Sequence, residues 1–272
     1  MTMPASARRL LTAVLLAALA MPVMPARAQS TQAKPFEPTV GQAGKDVVWV
    51  PTPQPLVDKM LDMAKVGPND LHYDLGSGDG RTVITAAKRG ARSYGIEYNP
   101  DMVELSKRNA AAAKVSPDRA TFVQADLFET DFSKANVVTL FLLPSINMRL
   151  RPKILDMAPG TRIVANTFTM EDWQADQTET VSADCVSWCT ALLWIVPAKV
   201  AGTWQLGKDA LTLTQSFQML QGTLGSAAIS DAKMTGADIA FTAGGVRYTG
   251  KVDGNGMKGT TSAGASFTAT RK

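Results

Sequence analysis

Two cysteines and one histidine are all that 272 residues offer as soft metal ligands. Zinc takes a tetrahedral set of such groups, and His72 lies far along the chain from Cys185 and Cys189, so no metal site is expected. Long apolar runs are scarce too. The run "LLTAVLLAALA" (10–20) has 11 residues where a spanning helix takes about 20, and no later stretch comes near that length. A charge excess is also lacking. The net +4 includes Arg8, Arg9 and Arg27 in an N-terminal segment whose removal leaves 25 basic residues against 24 acidic. A balance of +1 gives a polyanion no footprint, so nucleic acid is not expected as a partner. No internal repeat is found.

What is present begins with that segment. Arg8-Arg9, the apolar run and Ala26-Arg27-Ala28 read as the basic, hydrophobic and cleavage regions of a signal peptide over 1–28. An exported protein, periplasmic or secreted, is expected, with no transmembrane segment after cleavage. Residues 29–46 are polar and read as a flexible leader. Cys185 and Cys189 in "DCVSWC" pair across a short loop in an oxidising compartment; two free thiols are the other reading.

With 45% apolar and 19% charged residues the rest is globular in composition. Thr52 as N-cap and Pro53 at the first helical position open a helix to about Lys65. From Asp70, strands at 71–75, 93–97, 121–126, 136–143 and 161–168 alternate with helices at about 81–89, 100–114 and within 145–157. That alternation implies right-handed crossovers and a mostly parallel Rossmann-like α/β sheet. Beyond about Val181 two strand-like runs suggest an antiparallel edge hairpin with the cysteines near its turn. Residues 202–272 carry short alternating runs between Gly- and Asn-rich turns and read as a small antiparallel β meander. The "GTW" opening hints at a ligand cup, but about 70 residues is short for one, and a packing or partner-binding module is expected.

"HYDLGSGDGR" (72–81) carries the chemistry. Gly76-Ser77-Gly78-Asp79-Gly80 between strand and helix lets backbone amides approach a ligand. A dinucleotide fingerprint wants a glycine at 81, where Arg81 stands. Asp74 and Asp79 beside the turn repel a pyrophosphate and attract a cationic nucleoside, which points to S-adenosylmethionine. Glu97, with Tyr98 beside it, ends the second strand 21 residues after Gly76, where a carboxylate accepts from both ribose hydroxyls. Asp126, at the end of the third strand, suits the adenine amine, with Leu127 beside the ring. Taken singly, each acid also reads as a helix cap.

These residues resemble the class I S-adenosylmethionine-dependent methyltransferases, through "DLGSGDGR" and "GIEYNPDMVELSKRN" (95–109). The likeness covers about residues 47–198. Within the class, "WVPTPQPLVDKML" and "VVTLFLLPSINMRLRPKIL" resemble a bacterial exported group and, more loosely, the lysine methyltransferases of the ATP synthase c-subunit and class I histone lysine methyltransferases. The resemblance implies a seven-stranded sheet and a lid or acceptor entrance around Trp49, Pro51 and Thr52.

Two departures stand out. Leu142-Leu143-Pro144-Ser145 replaces the polar-Pro-Pro-aromatic run that grips planar amino groups, and Asn166-Thr167 stands where the exported relatives carry a His-Asp pair. Pro144 and Ser145 are acceptor candidates, and Ser145 and Asn147 read equally as helix caps. Trp173 and Trp188 are candidates for the acceptor face, and His72 is expected in the core. Methyl transfer works by positioning and water exclusion, so no catalytic base is assigned. The expected acceptor is a protein side chain, lysine first, or a small molecule. A non-catalytic S-adenosylmethionine sensor and a nicotinamide enzyme are the rival readings.

Overall fold

The structure, a computed structural model, describes residues 34–272. The expected signal peptide lies outside the described residues.

The parallel sheet follows from short, largely apolar strands, most of them connected through helices with one buried apolar face. Strands β1 (Leu71–Leu75), β2 (Arg92–Glu97), β3 (Ala120–Gln124), β4 (Val137–Leu140) and β5 (Arg162–Asn166) are joined by α2 (Arg81–Lys88), α3 (Pro100–Ala112) and α4 (Pro144–Leu155), after an opening α1 (Gln54–Met63). The edge hairpin is β6 (Gln177–Thr180) and β7 (Thr190–Ile195). The order is β3-β2-β1-β4-β5-β7-β6, parallel except where β7 meets β5 and β6. The expected seven-stranded Rossmann-like sheet is therefore observed. Its central strands are buried on both faces. Val138, Leu140, Ile163 and Trp194 face one core, while Val137, Val164 and Leu193 face Leu56, Val57 and Leu61 of α1 in another.

Local capping differs from expectation at one end. Asn99 caps α3 by accepting from the Asp101 amide at 2.9 Å. Thr52 does not cap α1, because Pro53 is the N-cap and makes no side-chain bond; the Thr52 hydroxyl accepts from Asn166 Nδ2 at 3.3 Å instead. The first hairpin strand ends before Val181 rather than beginning after it. Cys185 and Cys189 are bonded to each other within the β6–β7 connection.

The expected C-terminal antiparallel module goes further than a meander. It is a closed barrel of β8 (Gly202–Leu206), β9 (Asp209–Ser216), β10 (Met219–Leu224), β11 (Ala227–Thr235), β12 (Asp238–Ala243), β13 (Val246–Asp253), β14 (Gly256–Thr261) and β15 (Ser266–Arg271), with β15 pairing back onto β8. All but one of its turns have only two residues, which is how so short a segment closes. Trp204, Leu211, Met234, Phe241, Val252 and Phe267 fill the interior, so it is no ligand cup. The barrel seats against the sheet domain through Phe217 stacked on Trp173 at 5.7 Å and Lys233 paired with Asp176 at 2.8 Å. Residues 36–272 accordingly form one compact unit, within which the change near 198–202 is one of architecture.

Candidate active site

The chain runs from β1 outward to β2 and β3, then returns to β4 on the other side of β1. The carboxyl end of β1 is thus the topological switch point, where open α/β sheets bind ligands. A cavity of about 490 Å³ opens there. Of the residues expected to hold the nucleoside, Asp74, Gly76, Ser77, Gly78, Asp79, Glu97, Tyr98, Asp126 and Leu127 all line it. Gly80 does not. An added Cβ at Gly80 would meet Phe122 at 2.7 Å and Ser106 at 2.9 Å, so this glycine serves packing behind the loop.

The glycine loop is built on left-handed backbone, with φ of +81° at Gly76 and +54° at Gly78, which L-residues with a side chain disfavour. A Cβ at Gly78 would also fall 2.7 Å from the Trp49 indole nitrogen. Glu97 is held in register with the loop: its Oε2 accepts from the Gly78 amide at 2.9 Å and its Oε1 from the Asn99 amide at 3.0 Å.

The four acids are not equivalent. Asp74 is buried, and burial first, then the nearby Asp79 and Glu97 charges, push its carboxyl up to about 7 against the pull of hydroxyls from Thr139 and Thr82. Asp79 is forked by Arg81, with Nη2–Oδ2 at 2.6 Å and Nε–Oδ1 at 3.0 Å. The i,i+2 spacing hides that pair from a reading of the loop as free anions. The same guanidinium donates to the Thr52 carbonyl at 2.9 Å, tying the entrance to the glycine loop. Asp126 is paired with Lys45, which, ahead of the Phe128 amide, holds its carboxyl below the usual range. Lys45 also stands 4.6 Å over the Tyr98 ring.

His72 is fully buried, and burial drives its imidazole down to about 3. It lies in a chain in which its Nε2 meets Thr139 Oγ1 at 2.8 Å and that hydroxyl donates to Asp74 Oδ1 at 2.6 Å. The histidine therefore supports Asp74 from the core.

Trp49, Pro51 and Thr52 line the cavity, and so do Val47, Val48 and Gln42 to Asp46, the last five residues of the expected flexible leader. That segment is folded: Trp49 donates its amide to the Gln42 carbonyl at 2.9 Å, and Gly41 returns the bond to the Trp49 carbonyl at 2.9 Å. Its polar composition conceals this role. Pro144 and Ser145 do not line the cavity. Asn147 caps nothing; it is buried and its Nδ2 donates to the Phe168 and Thr169 carbonyls at 3.3 and 3.2 Å. Trp173 is buried under the barrel. The mouth is instead formed by Phe141, Phe168 and Trp188, of which only Trp188 was an expected candidate. Asn166 lies buried between Thr52 and Thr167, outside the cavity lining.

Comparison with known proteins agrees with this geometry. The ANTKMT methyltransferase domain matches residues 74–177, from Asp74 through the start of β6. A protein-lysine N-methyltransferase of Saccharolobus islandicus is 42% identical over 130 residues, which are 47% of this chain and 80% of that protein. The mouse lysine N-methyltransferase of the ATP synthase c-subunit is 34% identical over 139 residues, and the chain spans only 56% of its length. A Salinibacter ruber structure described as an RNA methyltransferase in complex with S-adenosyl-L-homocysteine is 47% identical, with a TM-score of 0.51 over 56% of this chain and 96% of that one. The chain belongs to the class I S-adenosylmethionine-dependent methyltransferases and is related to the lysine methyltransferases of the ATP synthase c-subunit.

Proposed function

We propose that this protein is an exported methyltransferase that acts on a lysine side chain of another protein. The observation that carries the reading is one cavity with two chemistries: a polar floor built on Glu97 and the glycine loop, and an uncharged aromatic mouth. The Saccharolobus relative, named for protein lysine, supports the acceptor. Among the described residues no helix is long and apolar enough to cross a membrane. Export is supported by the N-terminal pattern and by the Cys185–Cys189 bond, which suits an oxidising compartment.

The residues present fit S-adenosylmethionine. When bound, it supplies a methyl group on a cationic sulfur. Glu97 would accept from vicinal hydroxyls, the loop amides and Asp74 would hold the amino-acid end, and Leu127 and Leu142 would give a purine an apolar wall. Asp126, now paired with Lys45, would hold an exocyclic amine. No side chain needs to act as base, because a lysine that passes the rings into the cavity leaves water, which disfavours its ammonium form. His72, buried and neutral, takes no part in proton transfer.

The test is radiolabelled donor with the purified protein and an envelope extract, followed by acid hydrolysis. Label in methyllysine is the expected result. The Salinibacter likeness favours RNA as a second acceptor class, against which the near-neutral charge argues; label removed by ribonuclease and resistant to protease would establish it. Donor binding with no labelled product in any fraction would instead leave a sensor.

A further inference from the structure

We propose that the loop closed by Cys185 and Cys189 is a positioning device for the methyl acceptor: it holds the Trp188 indole against Phe141 and Phe168, and this three-ring wall receives the alkyl stem and amino head of the incoming side chain. The inference deepens the lysine reading and rests on it only for the identity of the acceptor.

The three rings come from separate places, the end of β4, the segment after β5 and the β6–β7 connection, and meet at the same cavity as Glu97. Phe168 and Trp188 lie 5.3 Å apart between centroids, Phe141 and Phe168 5.9 Å, and Phe141 and Trp188 6.2 Å. The other tryptophans outside the entrance segment, Trp173, Trp194 and Trp204, are at most 1% exposed, whereas Trp188 is 43% exposed. Three rings clustered at one cavity, one of them left partly in water, form an apolar contact surface. Aromatic faces suit an amine on an alkyl stem, which they hold by apolar contact and by attraction of the cationic head.

Two residues present this wall on unfavourable backbone. Trp188 has φ of +59°, and so does Thr167, which precedes Phe168. Bulky and β-branched residues keep such angles only where their surroundings dictate them. For Phe168 those surroundings are the Asn147 side chain on its carbonyl and the Thr167 amide donating to the Thr190 carbonyl at 2.7 Å. On the Trp188 side, the Val181 amide donates to the Cys189 carbonyl at 2.9 Å, and the disulfide closes the chain around the indole. Val186, at the outer side of the loop, is fully exposed, so beyond the rings little packing holds the loop in place. Removing the cross-link returns conformational freedom to the connection and to the tryptophan it carries. The wall is thereby tied to redox state. A dithiol reductant breaks the S–S bond, leaving two cysteine thiols while the reductant leaves as its own cyclic disulfide. The acceptor side then loosens, and the donor site, built on other elements, does not.

Cys185, Cys189 and Trp188 all lie beyond residues 74–177, where the family match ends. The device is therefore a property of this chain outside the matched region.

The experiment uses the full chain loaded with S-adenosyl-L-homocysteine, n-butylammonium as a lysine side-chain probe followed by saturation-transfer NMR, and poly-L-lysine as a kinetic acceptor. For Trp188→Ala we expect n-butylammonium affinity about tenfold weaker and KM for poly-L-lysine about tenfold higher, with kcat within about twofold and S-adenosyl-L-homocysteine affinity by calorimetry unchanged. Trp188→Phe should restore most of the loss. Dithiothreitol treatment of the wild type, which needs no variant to fold, should reproduce the Trp188→Ala change and add nothing in the Trp188→Ala background. Wild-type affinity for n-butylammonium in Trp188→Ala, or no difference between oxidised and reduced protein, overturns the proposal. If the wild type leaves poly-L-lysine unmethylated while n-butylammonium binding still depends on Trp188, the lysine reading fails and the wall stands. If poly-L-lysine is methylated equally well by Trp188→Ala, the wall fails and the lysine reading stands.

Discussion

The sheet domain and the barrel treat their interiors in opposite ways. Where β1 ends, the sheet domain leaves a cavity and surrounds it with left-handed glycines, a half-neutralised set of acids and three aromatic rings. The barrel fills its own axis with Trp204, Phe241 and Phe267. Ligand chemistry thus belongs to the switch point of the open sheet, which cannot close over its own strand ends, while a small closed barrel is consumed by its side chains. The barrel can act on other molecules only through its outside.

The sharpest way to break this contrast is to damage each region separately. Gly78→Val puts a β-branched side chain at φ of +54° and onto Trp49, so donor binding by calorimetry should fall by more than about 100-fold in a protein that still folds. Phe241→Ala should do the reverse: about 3–5 kcal/mol of stability lost in a denaturant melt, with donor affinity unchanged in the folded protein. Weak donor binding in folded Phe241→Ala would show that the barrel shapes the site after all.

Glu97→Gln comes next. The amide keeps the shape but loses the charge and one acceptor, so donor affinity should drop about tenfold to 100-fold while Tm moves little. An unchanged affinity would remove the electrostatic account of the cavity.

Asp74 gives a pH test with a definite sign. Its carboxyl sits at about 7 in the folded protein and near its ordinary 3.8 in the unfolded chain, so the native protein binds the extra proton between those values. Folding stability from this group is therefore present at low pH and falls as pH rises from about 4 to about 7. A cationic donor prefers the ionised form, so its affinity should rise several-fold from pH 6 to pH 8. Asp74→Asn should flatten both profiles, and a slope that survives the substitution assigns the titration elsewhere.

What was legible in the sequence followed from local physics. Apolar periodicity and the glycine loop placed the sheet, its helices and most of the residues expected to line its cavity. Closure of the barrel was not legible, since it depends on β15 meeting β8 across the length of the module, and alternation reads the same in an open meander. Nor was the entrance: Gln42 to Asp46 fall in a polar stretch that looks like a leader until the tertiary structure lays them over the cavity. Phe141 and Phe168 lie just past β4 and β5, where nothing local marks them as lining a site. Only the sheet order brings their rings to Trp188. The four acids do meet at one cavity, but their charge states were not legible, since these depend on Arg81, Lys45 and burial.

The smallest expected effect sharpens that last point. Lys45 holds Asp126 and covers Tyr98, the place proposed for the adenine. Donor binding must displace it, yet both partners are exposed enough for solvent to weaken their attraction. Lys45→Ala should therefore tighten donor binding by only about twofold at low salt, and the difference should vanish near 1 M salt as screening removes the competitor's advantage. A loss of affinity instead would mean that Lys45 is part of the donor site rather than its occupant, and the entrance segment would then belong to the cavity's permanent wall.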